Sequence, residues 1–178
     1  EDLDFSLLRP APGFTLGTYG IALQKEIRSF GFEVVFEQHQ KARAPAIESA
    51  FLKANTVREL IRIETREGLL RGLHPKAQLK VKLEVDTDPP EGFATEVQYL
   101  LRPVPFSVRT FSLPDLFAGK LHAVLFRKWG RRVKGRDWYD LVWFAAHHPH
   151  ANLAHLERRM RQSGDWTRDV PLHLEDLK

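Results

Sequence analysis

Residues 79–86, Leu-Lys-Val-Lys-Leu-Glu-Val-Asp, alternate strictly between apolar and charged side chains. A period of two is the mark of a strand, because successive side chains leave opposite faces of the pleat. Val81, Leu83 and Val85 share one face, and Lys80, Lys82, Glu84 and Asp86 share the other. Such a segment settles only where a sheet has a core on one side and water or polar chemistry on the other. The start of the chain repeats the pattern, with Leu3, Phe5 and Leu7 opposed to Asp2, Asp4 and Ser6. It reads as a second half-buried strand.

The remaining elements follow from periodicity and from turn residues. Leu23, Ile27 and Phe30 predict a helix over 17–30 that ends at Gly31. Strands are expected at Phe32–Phe36, Ile47–Leu52, Glu96–Leu101 and Phe106–Phe111, while 56–64 fits a short helix or a strand equally well. From Ser112 the period changes. Ser112-Leu113-Pro114-Asp115 has the form of a capping box, and Leu113, Leu116, Phe117, Leu121, Val124 and Leu125 make one helical stripe. A second helix is expected from Arg136 to about His147, with Trp138, Leu141, Val142 and Ala145 inward, and a third over Asn152–Arg161. Strands followed by helices predict an α+β domain, a mixed sheet capped by a small helical bundle. We expect a sheet core over 1–111 and a helical region over 112–178 that completes the same site.

A chain of 178 residues has the size of one domain or of one core with an extension. It contains no cysteine, which excludes disulfides, thiolate zinc sites and a cysteine nucleophile. No apolar run approaches the ~20 residues of a membrane span, and the first residues do not resemble a signal peptide. A cytoplasmic protein without membrane partners is the expectation. Because the chain begins with Glu1, inside a strand, it is read as a fragment or a processed chain.

Charge is uneven along the chain. Residues 1–89 carry 13 basic and 13 acidic side chains, whereas 90–178 carry 14 and 10, so the second half supplies the whole net charge of +4. Arg127, Lys128, Arg131, Arg132, Lys134 and Arg136 lie within ten residues without an acid. Such a run is either a solvated loop or a contact for phosphate or nucleic acid.

Three constellations have the chemistry of a site. Asp2 and Asp4 leave one strand face about 7 Å apart, a spacing that suits two hard oxygen ligands for a divalent cation. Glu84 or Asp86 adds a third carboxylate if the two alternating strands are neighbours. Lys120 falls inside the apolar stripe of its helix, where an ammonium either snorkels to water or reaches an anion. Asp137 and Asp140, beside Arg136, sit in the first turn of the next helix. Capping of the helix dipole is one reading of Asp137 and a poorer one of Asp140; the other is a carboxylate paired with Lys120, which would satisfy both buried charges. The His147-His148-Pro149-His150 group has no acid or Cys at ligand spacing and reads as a helix end.

Four segments in order, Asp2-Leu3-Asp4-Phe5-Ser6, Leu79–Asp86, Leu113-Pro114-Asp115-Leu116-Phe117-Ala118-Gly119-Lys120-Leu121-His122-Ala123 and Lys134-Gly135-Arg136-Asp137-Trp138-Tyr139-Asp140-Leu141, resemble the AbiEii/AbiGii nucleotidyltransferase family. Its members include toxins of abortive-infection toxin–antitoxin systems. The resemblance implies a polymerase-beta-like nucleotidyltransferase core followed by a helical region. It implies Mg²⁺ or Mn²⁺ held by Asp2, Asp4 and Glu84, with Asp86 the alternative to Glu84. It implies Lys120, Asp137 and Asp140 as catalytic residues, with Arg136 in the same Arg-Asp-x-x-Asp segment. Beside the resemblance, we read Lys82, Arg127, Arg131, Arg132, Lys134 and Arg136 from their charge as nucleotide or phosphate contacts. The partners it implies are a nucleoside triphosphate, an acceptor that is transfer RNA in some members, and a cognate antitoxin.

The family carries a Gly-Gly or Gly-Ser turn roughly ten residues before its paired aspartates, at a helix N-terminus suited to triphosphate. This chain starts at the aspartates, so the turn is expected upstream. Two alternatives stand beside the transferase. One is a non-catalytic domain, degenerate or truncated, that binds nucleotide, RNA or antitoxin. The other is a metal-dependent nuclease, against which stands the lack of a Glu-x-Lys pair in Glu84-Val85-Asp86.

Overall fold

The computed structural model describes residues 2–38, 56–65, 78–126 and 135–177. The chain forms two compact units, Glu1–Pro89 and Pro90–Lys178. The class is α+β, as the order of patterns predicts.

The first unit is a mixed four-stranded sheet with one helix. Its strands are β1 (Asp2–Ser6), β2 (Phe32–Gln38), β3 (Thr56–Thr65) and β4 (Gln78–Asp86), in the order β1-β4-β3-β2. β1 runs parallel to β4, while β3 is antiparallel to both β4 and β2. Helix α1 (Gly17–Ser29) packs against β2 and ends at Gly31, whose φ of 86° is open to glycine without strain. Leu16, Val34, Leu83 and Val85 form the buried core, joined by Leu23 and Ile27 from α1. Each such side chain contributes about 1.5–3 kcal/mol by leaving water.

Two expectations for this unit need correction or completion. Leu3 and Phe5 are about half exposed, because β1 is the sheet edge farthest from β2, where α1 packs. Only Leu7 of that predicted apolar face joins the core. The ambiguous segment 56–64 is a strand, settled by pairing on both sides rather than by its own pattern. The strand expected at Ile47–Leu52 lies outside the described residues.

The second unit holds the hairpin β5 (Thr95–Leu100) and β6 (Phe106–Phe111), then α2 (Leu113–Phe126), α3 (Gly135–His147) and α4 (Leu153–Ser163). The hairpin therefore groups with the helices, not with the sheet. Helix α2 packs on both α3 and α4. Ala118, Leu156, Met160, Trp166 and Leu172 form its core, and Phe117 stacks on Phe144 with ring centroids 5.1 Å apart.

The caps explain where these helices begin and end. Asn152 caps α4 by accepting the His155 amide, and Gly164 closes it at φ 83° in the left-handed region. The predicted box at Ser112 is built differently. The Ser112 hydroxyl donates to Asp115, whose carboxylate accepts the amide of Ala94 instead of the Ser112 amide. The Ser112 amide in turn donates to Ala94 O, and Asn152 Nδ2 donates to Asp115 Oδ1 at 2.8 Å. A local capping pattern has become the joint between the hairpin, α2 and α4.

Which faces are buried also departs from the predicted stripes. Leu116 and Leu125 are exposed, and α2 buries Phe117, Ala118 and Val124. On α3 the expected inward residues Trp138 and Val142 are exposed, whereas Asp137 and Phe144 are buried. The helix is rotated because Phe144 finds an aromatic partner in Phe117 and Asp137 finds a cation.

Candidate active site

The parallel pairing of β1 with β4 brings together the acids of the first unit. Its register sets Asp2 opposite Lys82, Asp4 opposite Glu84 and Ser6 opposite Asp86. Neighbouring strands are about 4.8 Å apart, so Asp4 and Glu84 are carboxylates at adjacent positions of one sheet face. Lys82 Nζ lies 3.4 Å from Glu84 Oε2 on the same face. Asp86 Oδ1 accepts the amide of Asp88 at 3.1 Å, a side-chain-to-backbone turn that occupies it with the chain leaving β4.

This donor set has the chemistry of a magnesium site. Carboxylate oxygens are the hard ligands the ion takes, and it is commonly bound by one or two of them together with substrate phosphates. Asp4 with Glu84 supplies such a pair, and Asp2 occupies the alternate position along β1. Among the described residues, no group of three or more His, Cys, Asp or Glu side chains is arranged around a cation position.

In the second unit the half-buried Lys120 has found its anions. Lys120 stands three residues after Phe117 and four before Val124, both buried, so its stem runs along the apolar side of α2. Its Nζ is 2.9 Å from Asp137 Oδ1 and 2.8 Å from Asp140 Oδ2, both on α3. The three-residue spacing places both acids over the same turn of one helix face. Asp137 is almost fully buried and Asp140 is partly open. Burial acts to lower the Lys120 pKa, but the hydrogen bonds and charges of Asp140 and Asp137 outweigh it and hold the ammonium above its ordinary 10.5. Lys120 is therefore a fixed positive charge at any physiological pH. An ammonium has three donors, and these acids use two of them.

The predicted cations divide by location. Lys82 is held against Glu84, and Arg136 is exposed in the first turn of α3 while its neighbour Asp137 turns inward. Arg127, Arg131, Arg132 and Lys134 lie outside the described residues. His147 Nδ1 is 2.9 Å from Trp143 O, a helix-end contact.

Two features escaped the sequence reading. His122 Nε2 meets Ser163 Oγ at 2.9 Å, and that hydroxyl also donates to Asp165. Asp165 Oδ2 also lies 3.7 Å from His122 Nε2, so acid and serine meet the same ring nitrogen, which is not the Asp–His–Ser order of a nucleophilic triad. The other is an exposed aromatic face on α3, hidden because Trp138 and Val142 fit a core stripe as well as Phe144 does.

The fold is α+β, with an acid pair on adjacent strands of its mixed sheet and, in the helical unit, a lysine fixed between two aspartates. The full length, residues 1–178, matches the family described as nucleotidyl transferase AbiEii toxin of type IV toxin–antitoxin systems, and the chain belongs to that family. No curated protein matches the chain. Among the described residues no helix is long and apolar enough to cross a membrane.

Proposed function

We propose that this chain is a metal-dependent nucleotidyltransferase that moves a nucleotide from a nucleoside triphosphate to an acceptor, transfer RNA being one candidate. The observation that carries the reading is the Asp4–Glu84 register pair in a chain of the AbiEii family. Mg²⁺, or Mn²⁺, held by Asp2, Asp4 and Glu84, would neutralise the triphosphate and lower the pKa of the acceptor hydroxyl. Glu84 is preferred to Asp86 because it faces Asp4 in register while Asp86 is tied to the turn at Asp88.

The chain's own residues do the rest. Lys120 meets negative charge on the phosphates, and Asp137 and Asp140 position it by fixing its ammonium between them. Because it is held before substrate arrives, little reorganisation accompanies the reaction. Lys82, Arg127, Arg131, Arg132, Lys134 and Arg136 draw the polyanionic substrates, so binding weakens steeply with salt. A cognate antitoxin and a cytoplasmic setting complete the proposal, in keeping with the toxin–antitoxin family.

The test is incorporation of labelled nucleotide into RNA together with pyrophosphate release, using each of the four triphosphates with Mg²⁺. Incorporation that disappears in Asp4→Ala supports the transferase. Absence of incorporation in the wild-type gene product leaves the non-catalytic binding module, and shortening of RNA without any triphosphate points to the nuclease.

A further inference from the structure

Helix α3 presents two faces with opposite chemistry. Toward α2 it turns Asp137 and Phe144, and Lys120 sits between Asp137 and Asp140, one cation paired with two carboxylates. Away from α2, Trp138 is 47% exposed, Tyr139 72%, Val142 66% and Trp143 38%, with Arg136 also exposed. At 100° per residue these five positions fall on one continuous arc of the helix. Two indoles and a phenol held in water on one arc form the kind of patch that marks a partner surface.

The charge around that arc selects the partner. The acids of α3 are Asp137 and Asp140, both paired with Lys120, and no acid follows between residues 141 and 147. The arc itself carries the cation Arg136. The sequence just before the helix adds Arg127, Lys128, Arg131, Arg132 and Lys134, again without an acid. Aromatic faces together with concentrated positive charge are what single-stranded nucleic acid requires, since bases stack on rings while phosphates meet cations. Trp143 already packs against Phe144, His147 and His148, so the open rings of the arc are those of Trp138 and Tyr139.

We propose that the exposed face of α3, formed by Arg136, Trp138, Tyr139, Val142 and Trp143, is a stacking platform for unpaired bases of RNA. The identity of the RNA as an acceptor rests on the transferase reading, but the binding itself needs no catalysis.

The experiment measures fluorescence anisotropy of a labelled single-stranded RNA oligonucleotide at fixed salt, with heparin as a polyanion that has no bases. Trp138→Ala and Tyr139→Ala are each expected to weaken RNA binding about tenfold and to leave heparin binding unchanged. Trp138→Phe and Tyr139→Phe should recover most of the loss, since a phenyl ring still stacks. The 72% exposure of Tyr139 predicts an unchanged thermal midpoint for its variants, and Trp138→Phe keeps most of the packing of the half-exposed indole. RNA affinity untouched by either truncation overturns the platform and leaves the face to a protein partner. Parallel weakening toward RNA and heparin also overturns it, because charge alone would then explain binding. Asp4→Ala run alongside separates this inference from the enzymatic one. Ring-dependent RNA binding without incorporation in the wild type sinks only the transferase, and ring-independent binding with incorporation sinks only the platform.

Discussion

Lys120 on α2 and Asp137 on α3 meet at 2.9 Å, and Asp137 is almost entirely withdrawn from water. One ion pair thus does two things: it satisfies a charge on an apolar helix face and it sets the rotation of the neighbouring helix. Lys120→Met removes the cation and leaves Asp137 buried without it. The expected cost is about 3 kcal/mol in denaturant unfolding, against clearly less for Asp140→Asn, whose carboxylate is partly solvated.

The same pair predicts an alkaline dependence. The Lys120 pKa is raised above 10.5, so its contribution is fully present below 10.5 and is lost as pH climbs through the higher folded value. Unfolding midpoints should be insensitive to this pair from pH 7 to 10 and fall beyond it. Lys120→Met should remove that part of the fall.

His155 acts in the opposite direction, toward acid. It is 1% exposed, it accepts from Arg159 Nε at 3.0 Å, and Phe93 and Phe111 lie against its ring. Burial, then the adjacent Arg159 cation, pushes its pKa below 6.5. Its contribution is present above 6.5 and declines as pH falls, when the unfolded chain takes a proton that the folded chain refuses. Stability should drop by at most about 1.4 kcal/mol per pH unit between 6.5 and 5. His155→Phe should flatten that slope, whatever it costs at neutral pH. Glu157, whose pKa is lowered by the Leu172 amide and Arg161, adds a second decline only below 4.5.

Metal binding is testable without activity. Mg²⁺ at ten times its dissociation constant should stabilise the wild type by about 1.4 kcal/mol, reversibly with EDTA. Asp4→Asn and Glu84→Gln should abolish the increment, whereas Asp86→Asn should retain it. An increment lost in Asp86→Asn and kept in Glu84→Gln would exchange their roles.

Packing in the second unit gives a sharper contrast. Leu156 is fully buried and Leu116 is 41% exposed, although both are leucines on apolar stripes. Leu156→Ala should cost about 3 kcal/mol through the cavity it leaves. Leu116→Ala should stay within about 0.5 kcal/mol. Equal costs would mean that α2 is rotated from the face seen here.

Much of this molecule is local and was legible in the chain itself. The alternation over 79–86 leaves no choice but a strand with acids on one face, and β4 is that strand. Asn152 and Gly31 mark helix ends because capping and left-handed backbone are properties of single residues. Lys120 stood out as a charge where apolar side chains recur, and its need of an anion followed from that placement. What tertiary structure alone decided is every choice of partner. Parallel pairing put Asp4 opposite Glu84, two ladders made 56–65 a strand, and Phe117 drew Phe144 inward while Trp138 and Val142 stayed in water. Periodicity fixes the spacing of a stripe, but two stripes on one helix can be equally apolar. Which of them is buried depends on side chains brought near by folding, and those are distant in sequence.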